Sequence, residues 1–245
     1  MKARLNRILL AGALVLLLVG ATAGWLLHGE SIIQPDRFSH RAFAEWQTAN
    51  PDSHREFAVF SRFLAEQGVA NTVPAWQLTR TDVKPHRNCR RPAFLIPPRE
   101  DWPNIVPVLR LVRDQIVPVV GQVEVVSSYR TLDFNACVGG ASKSRHLGFS
   151  AIDLIVPGQG DSRALFTKLC AIHAQIGPRT NFGLGAYFDP DALKPNTVGR
   201  FHVDVSGFRS WGYSKHAASS GCRFLVTNPA PAPSNPAAAP SPKSV

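Results

Sequence analysis

Acidic residues are scarce in this chain: 17 Asp and Glu stand against 27 Lys and Arg over 245 residues, leaving a net charge of +10. That deficit excludes an acidic, self-repelling solvating segment and favours an anionic partner: nucleic acid, a membrane surface or an acidic cell-wall polymer. Other absences narrow the choice. There is no zinc-finger spacing, no helix-turn-helix signature and no aromatic-basic ribonucleoprotein motif, and the single dense basic patch is HRNCRR, His86 to Arg91. Nucleic acid is therefore not expected as a partner. No internal repeat is visible, which excludes solenoids and propellers. With 18% charged and 44% hydrophobic residues, general disorder is excluded too, and the length suits one domain with a real core.

Long hydrophobic runs are also missing, with one exception. MKARLNR, carrying Lys2, Arg4 and Arg7, precedes twenty residues without a charge, from Ile8 to Leu27. Such a segment reads as an export signal. It is either cleaved near Ala21-Thr22-Ala23 or kept as an anchor, and the apolar run continuing through Trp25, Leu26 and Leu27 favours the anchor. The expected location is the periplasm, with the body held at the inner membrane by residues 8–27, or secreted if cleavage occurs near Ala23. The four cysteines, Cys89, Cys137, Cys170 and Cys222, form no Cys-x-x-Cys pair. In an exported chain they are expected as two disulfides, with three pairings open.

The expected organisation is a signal segment over 1–30, an accessory helical and Pro-rich wrap over 31–100, a core domain over 101–227 and a disordered Pro/Ala-rich tail over 228–245. Helical spacing of Phe57, Phe60, Phe63 and Leu64 predicts a helix from His54 to Gln67. Val73 to Asp101, with five prolines, should run over the core without building it. Asp101-Trp102-Pro103 reads as a helix start, with Pro107 in the first turn and Ile105, Val108, Leu109, Val112, Ile116 and Val119 on one face up to Gly121. Strands are predicted at Val123 to Ser128, Ser150 to Val156, Leu184 to Phe188 and Phe201 to Val205. Helices are predicted at Asp133 to Val138 and Ser162 to Ile176. The fold class is α+β, a small, mostly antiparallel sheet packed against helices.

Chemistry enters at SAIDLIV, where Asp153 places a carboxylate in an apolar strand. A buried charge needs a partner or a metal. His146 sits in the loop before it, and in RFHVDV the residues His202 and Asp204 are two apart and so share one face of a strand. Two His and one Asp with a fourth position open is the donor set of a hydrolytic zinc. Asp204 is expected as the base that accepts the water proton, with Asp189 and Asp191 in reserve. Arg130, ending SSYR, is expected as the cation beside the metal, on the substrate carboxylate or the oxyanion. His40, His54, His86, His173 and His216 read as packed or surface residues.

Three ordered stretches carry a family resemblance: Ser127-Ser128-Tyr129-Arg130, VGGASKSRHLGFSAIDL from Val138 to Leu154, and FHVDVSGFRSWG from Phe201 to Gly212. Together they resemble the zinc D-alanyl-D-alanine carboxypeptidases and murein endopeptidases, which share their core with the hedgehog signalling domain. Ser144 to Asp153 fits the shorter form of the family's Ser-x-His pattern, with Ser150 where many members have Ala or another small residue. The resemblance covers about Asn104 to Gly212. It implies a hedgehog-like peptidase fold, Zn2+ held by His146, Asp153 and His202, and Arg130 facing the substrate. It further implies hydrolysis of D-amino-acid amide bonds in peptidoglycan stem peptides, as a DD-endopeptidase or DD-carboxypeptidase. Some relatives carry a catalytic acid or His two or three residues before the last ligand, where this chain has Gly199 and Arg200. That departure keeps open an alternative, a non-catalytic wall-binding or scaffold domain that retains the fold.

Overall fold

The structure, a computed structural model, describes residues 36–84, 86, 88–159, 162–191 and 199–225. The expected apolar anchor and the Pro/Ala tail lie outside the described residues. Among the described residues no helix is long and apolar enough to cross a membrane.

Two helices lead. Ser39 caps α1 (His40–Ala49) by accepting from the Ala42 amide, and Pro51 opens α2 (Pro51–Glu66) at a position where a missing N–H costs nothing. The sequence leads one to expect only the second. Helix α1 is polar and buries a single residue, Phe43, whose ring meets Phe57 at 4.9 Å and Phe94 at 5.3 Å. Tertiary aromatic contacts hold it, and periodicity carries no trace of them.

The third helix, α3, begins at Trp102–Leu111, widens into a π-turn at Val112–Ile116 and finishes at Val117–Val120, where Gly121 ends it with φ 87°. Two expectations are corrected here. Pro107 lies inside the helix and not in its first turn. Val119 is 45% exposed, while Ile105, Val108, Leu109, Val112 and Ile116 are buried. For Val119 the π-turn supplies the reason: one extra residue in the ladder rotates everything after it by about 100°.

Five strands form one sheet in the order β1 (Glu124–Ser127), β2 (Ala151–Ile155), β4 (Phe201–Asp204), β3 (Gly183–Gly185), β5 (Arg209–Trp211). All pairings are antiparallel except that of β3 with β5. Period-two alternation sorts the side chains. Val125, Ile152, Leu154, Leu184, Phe201 and Val203 join the buried apolar cluster with residues of α3 and with Leu165, Phe166 and Leu169 of α5 (Ser162–Ile176). Each such side chain, fully buried, contributes about 1.5–3 kcal/mol. The opposite face carries Asp153, His202 and Asp204. Strand β5 escapes the sequence reading because three residues in parallel pairing leave no alternation to detect.

Both expected disulfides form, as Cys89–Cys137 and Cys170–Cys222. The first ties the Pro-rich segment to the end of α4 (Leu132–Cys137), and the second ties α5 to the short terminal helix α6 (Cys222–Leu225). The Pro-rich segment does more than cover the core. It buries Leu78, Phe94 and the charged Arg80 and Asp82. His173 proves to be a packing residue, its Nε2 lying 3.1 Å from the Phe182 carbonyl and 3.2 Å from that of Arg209.

Candidate metal centre

Sheet register builds the site. Asp153 on β2 stands directly opposite His202 on β4, so the two side chains leave the same face side by side. His146 arrives on a 3-10 turn, Arg145–Gly148, that ends at Phe149 with φ 49°. A left-handed conformation is costly for an aromatic residue. It is held because the Phe149 ring is fully buried, 6.0 Å from Phe60, and the reversal delivers His146 to the start of β2. Glycine clears the other side. A Cβ on Gly185 would stand 2.7 Å from the His202 Cβ, and one on Gly183 would stand 2.7 Å from the Asp204 carboxylate.

Three donor atoms converge. His202 Nδ1 lies 2.8 Å from Asp153 Oδ1, His146 Nε2 lies 3.2 Å from His202 Nδ1, and His146 Nε2 lies 3.4 Å from Asp153 Oδ1. Among the described residues, these side chains form the group able to hold a metal ion, and all three are buried. The fit can be tested on spacing. Ligands held at about 2.0–2.1 Å around a tetrahedral zinc stand about 3.3 Å apart, close to the observed triangle. The far edges of both rings are also committed. His146 Nδ1 donates to the Ser128 carbonyl at 2.6 Å, leaving Nε2 as an acceptor, and His202 Nε2 donates to Asp204 Oδ2 at 3.2 Å, leaving Nδ1. Such outer partners fix the tautomers that metal ligands require. The residues therefore fit zinc.

Electrostatics keep His146 neutral and Asp153 ionised, the states in which each can ligate a metal. Burial holds the His146 imidazole down to about 4, with the Arg130 guanidinium adding to the effect, so the ring is neutral near pH 7. Burial also opposes charge on His202, but the Asp153 and Asp204 carboxylates outweigh it and raise its proton affinity. Burial would lift Asp153, yet Arg200 and the two imidazoles hold it well below the usual carboxylate range.

Behind Asp153 lies a set of charges of which the sequence singles out Arg130 and leaves Asp82 and Arg200 without a role. Arg200 Nη2 reaches Asp153 Oδ2 at 2.6 Å and, with Nη1, grips Asp82 at 3.1 and 2.9 Å. Arg130 Nη2 lies 3.0 Å from Asp153 Oδ2 and 3.4 Å from Asp82 Oδ2. Burial pushes Asp82 up, but Arg200 and Arg130 bring it below its ordinary value. Asp82 sits in an irregular segment with no periodicity, 118 residues before its main partner. In Thr79-Arg80-Thr81-Asp82-Val83-Lys84 a carboxylate stands among polar neighbours, so no sequence signal marks it.

A cleft of about 450 Å³ opens over the three ligands, with Arg130, Lys143, Arg145, Arg209 and Lys215 among its lining residues. Lys215 Nζ donates to the Gly139 carbonyl and so joins the two lips. Asp153 and Asp204 are the carboxylates that line it among the described residues.

Asp204, expected as the base, is placed beside a ligand with its oxygens already engaged. Its carboxylate is fully buried and lies against Nε2 of His202, the ring edge turned away from Asp153 and His146. Arg209 grips it at 2.7 and 3.0 Å and the Ser206 amide at 2.8 Å. Burial would raise it, but His202 and Arg209 hold it at about 2, far too acidic to accept a proton near neutrality. The reserves do not enter the cleft either: Asp189 and Asp191 are exposed, and Asp189 accepts from the Asp191 amide. His216, given no role by the sequence, does line the cleft.

Two buried imidazoles and a carboxylate with tautomers fixed from behind, beneath an open basic cleft, define a metal-dependent hydrolase type of site. The family comparison gives the more particular assignment. Residues 83–181 match the Peptidase M15 family model, so that stretch of the chain is similar to this family. The match contains Asp82's neighbour Val83, Arg130, His146 and Asp153, and ends before His202, which the sheet register supplies. No curated protein and no solved structure matches the chain.

Proposed function

We propose that this protein is a periplasm-facing zinc peptidase that hydrolyses D-amino-acid amide bonds in peptidoglycan stem peptides, as an endopeptidase or a carboxypeptidase. The observation that carries the reading is the convergence of His146 Nε2, Asp153 Oδ1 and His202 Nδ1 at the floor of a basic cleft. Zinc held there supplies Lewis acidity toward a scissile carbonyl and toward water. The chain supplies the rest. Ser128 and Asp204 keep the two imidazoles in their ligating tautomers. Arg130, on the cleft wall, offers its guanidinium to the oxyanion or to a substrate carboxylate. We assign proton transfer to His216, because the other imidazoles in the cleft are ligands and its carboxylates are already engaged. Basic lining suits an acidic wall polymer. The two disulfides support an oxidising location, and residues 8–27 would anchor or export the body.

Incubating the full-length protein with zinc and murein, and resolving products by mass, tests the proposal. Released D-alanine marks a carboxypeptidase and split cross-links an endopeptidase. The departure at Gly199 and Arg200, with no uncommitted carboxylate lining the described cleft, favours one second reading, a metal-holding wall-binding domain. Tight sacculus binding with no bond cleaved would select it.

A further inference from the structure

We propose that Asp82, acting through Arg200, is a positioning residue that sets how tightly the three ligands hold their ion; the inference rests on the metal-site reading above. Asp82 is 2% exposed and belongs to none of the helices or strands. A carboxylate buried there is expensive unless every lone pair is used, and each is. The Lys84 amide donates to Oδ1 at 2.9 Å, Arg200 donates to both oxygens at 2.9 and 3.1 Å, and Arg130 approaches at 3.4 Å. The same Arg200 Nη2 continues to Asp153 Oδ2 at 2.6 Å, the shortest contact in the group.

This arrangement divides the work of the Asp153 carboxylate. Oδ2 is occupied by two guanidinium groups, while Oδ1 faces His146 and His202. A ligand so held offers one oxygen in one orientation and loses little freedom when an ion arrives. Charge balance explains why Asp82 is needed. Asp82 and Asp153 carry two negative charges against two positive ones on Arg130 and Arg200, so the group is neutral before a dication binds. Without Asp82, a net positive charge would stand behind a ligand of a divalent cation, in surroundings that screen it poorly. The two arginines are not equivalent. Arg130 lines the cleft and makes the longer contacts, so it is available to substrate. Arg200 does not line the cleft and makes the shorter ones, so it belongs to the lock.

The test uses the full-length protein and the metal alone. Zinc affinity is measured by competition with a chelator, and coordination is read from the visible spectrum of the Co2+-loaded protein. Asp82→Asn should lose about 10–100-fold in zinc affinity and alter the Co2+ spectrum while both disulfides and the far-UV spectrum stay native. Asp82→Glu should recover part of the loss. Arg200→Lys, which keeps the charge but cannot fork between two carboxylates, should weaken binding similarly. The double variant should be no worse than the weaker single one, because one lock is broken once. Zinc affinity and Co2+ spectrum unchanged in Asp82→Asn overturn the inference; if that variant fails to fold, an unchanged Arg200→Lys overturns it equally. Failure of the native protein to bind zinc at all would instead remove the metal-site reading beneath it.

Discussion

Replacing Asp204 by Asn changes one atom and should disarm a ligand. Four donors meet the two Asp204 oxygens: the Ser206 amide and Arg209 Nη1 on Oδ1, and Arg209 Nη2 and His202 Nε2 on Oδ2. An amide offers an acceptor on one side only, so whichever way it is turned an NH2 group faces two donors. With the NH2 toward His202, relief comes from moving the imidazole proton to Nδ1, the atom 2.8 Å from Asp153 and needed by the ion. A lost charge-assisted hydrogen bond costs about 1.5–3 kcal/mol. Loss of an orienting partner lowers metal affinity about 10–100-fold, or roughly 1.4–2.8 kcal/mol. Chelator competition on native and Asp204→Asn protein, with turnover measured at saturating zinc, is the assay. Native zinc affinity with turnover abolished would refute this reasoning and return Asp204 to the role of base.

His146→Ala should empty the site, and full zinc occupancy in that variant would remove His146 from the ligand set. Gly185→Ala would press a methyl group against His202 Cβ and the Tyr187 hydroxyl; it should cost about 1–3 kcal/mol, lowering Tm by about 2–4 °C per kcal/mol, and weaken zinc binding as well, as melting and competition would show. His216→Gln should lower kcat by about 10²–10⁴-fold with zinc content unchanged, and a native kcat would discard its proton-transfer role. Breaking Cys170–Cys222 by Cys→Ser substitution releases a loop spanning 52 residues; chain entropy puts the loss near 4 kcal/mol, measurable by denaturant unfolding.

Much of the fold is legible wherever one face of an element is apolar. Helix α5 runs from Ser162 to Ile176, as its periodicity predicts, and the strands around Val125, Asp153 and His202 lie where alternation places them. The ligand candidates were legible because a carboxylate inside SAIDLIV contradicts its surroundings. What escaped has physical reasons. Phe43 is the single buried residue of α1, Asp82 sits in an aperiodic loop, and the partners of Arg200 lie 47 and 118 residues away. The placing of Asp204 is not legible because sharing a strand face with His202 does not say which ring edge it meets. Only the tautomer-defining hydrogen bond separates an orienting carboxylate from a base.

Strand β4 is synthesised after β1, β2 and β3, yet it lies between β2 and β3 in the sheet. Until Phe201–Asp204 is in place, the two earlier strands have no common neighbour, and the sheet has no centre. Folding must therefore wait for pairings across about fifty residues, the non-local kind that slows a chain and leaves strand edges open meanwhile. The same late strand carries His202, so joining β2 to β3 and bringing the last ligand to the metal site are one event. A nascent or truncated chain ending before Phe201 lacks His202 and is expected to leave the metal site with two of its three ligands.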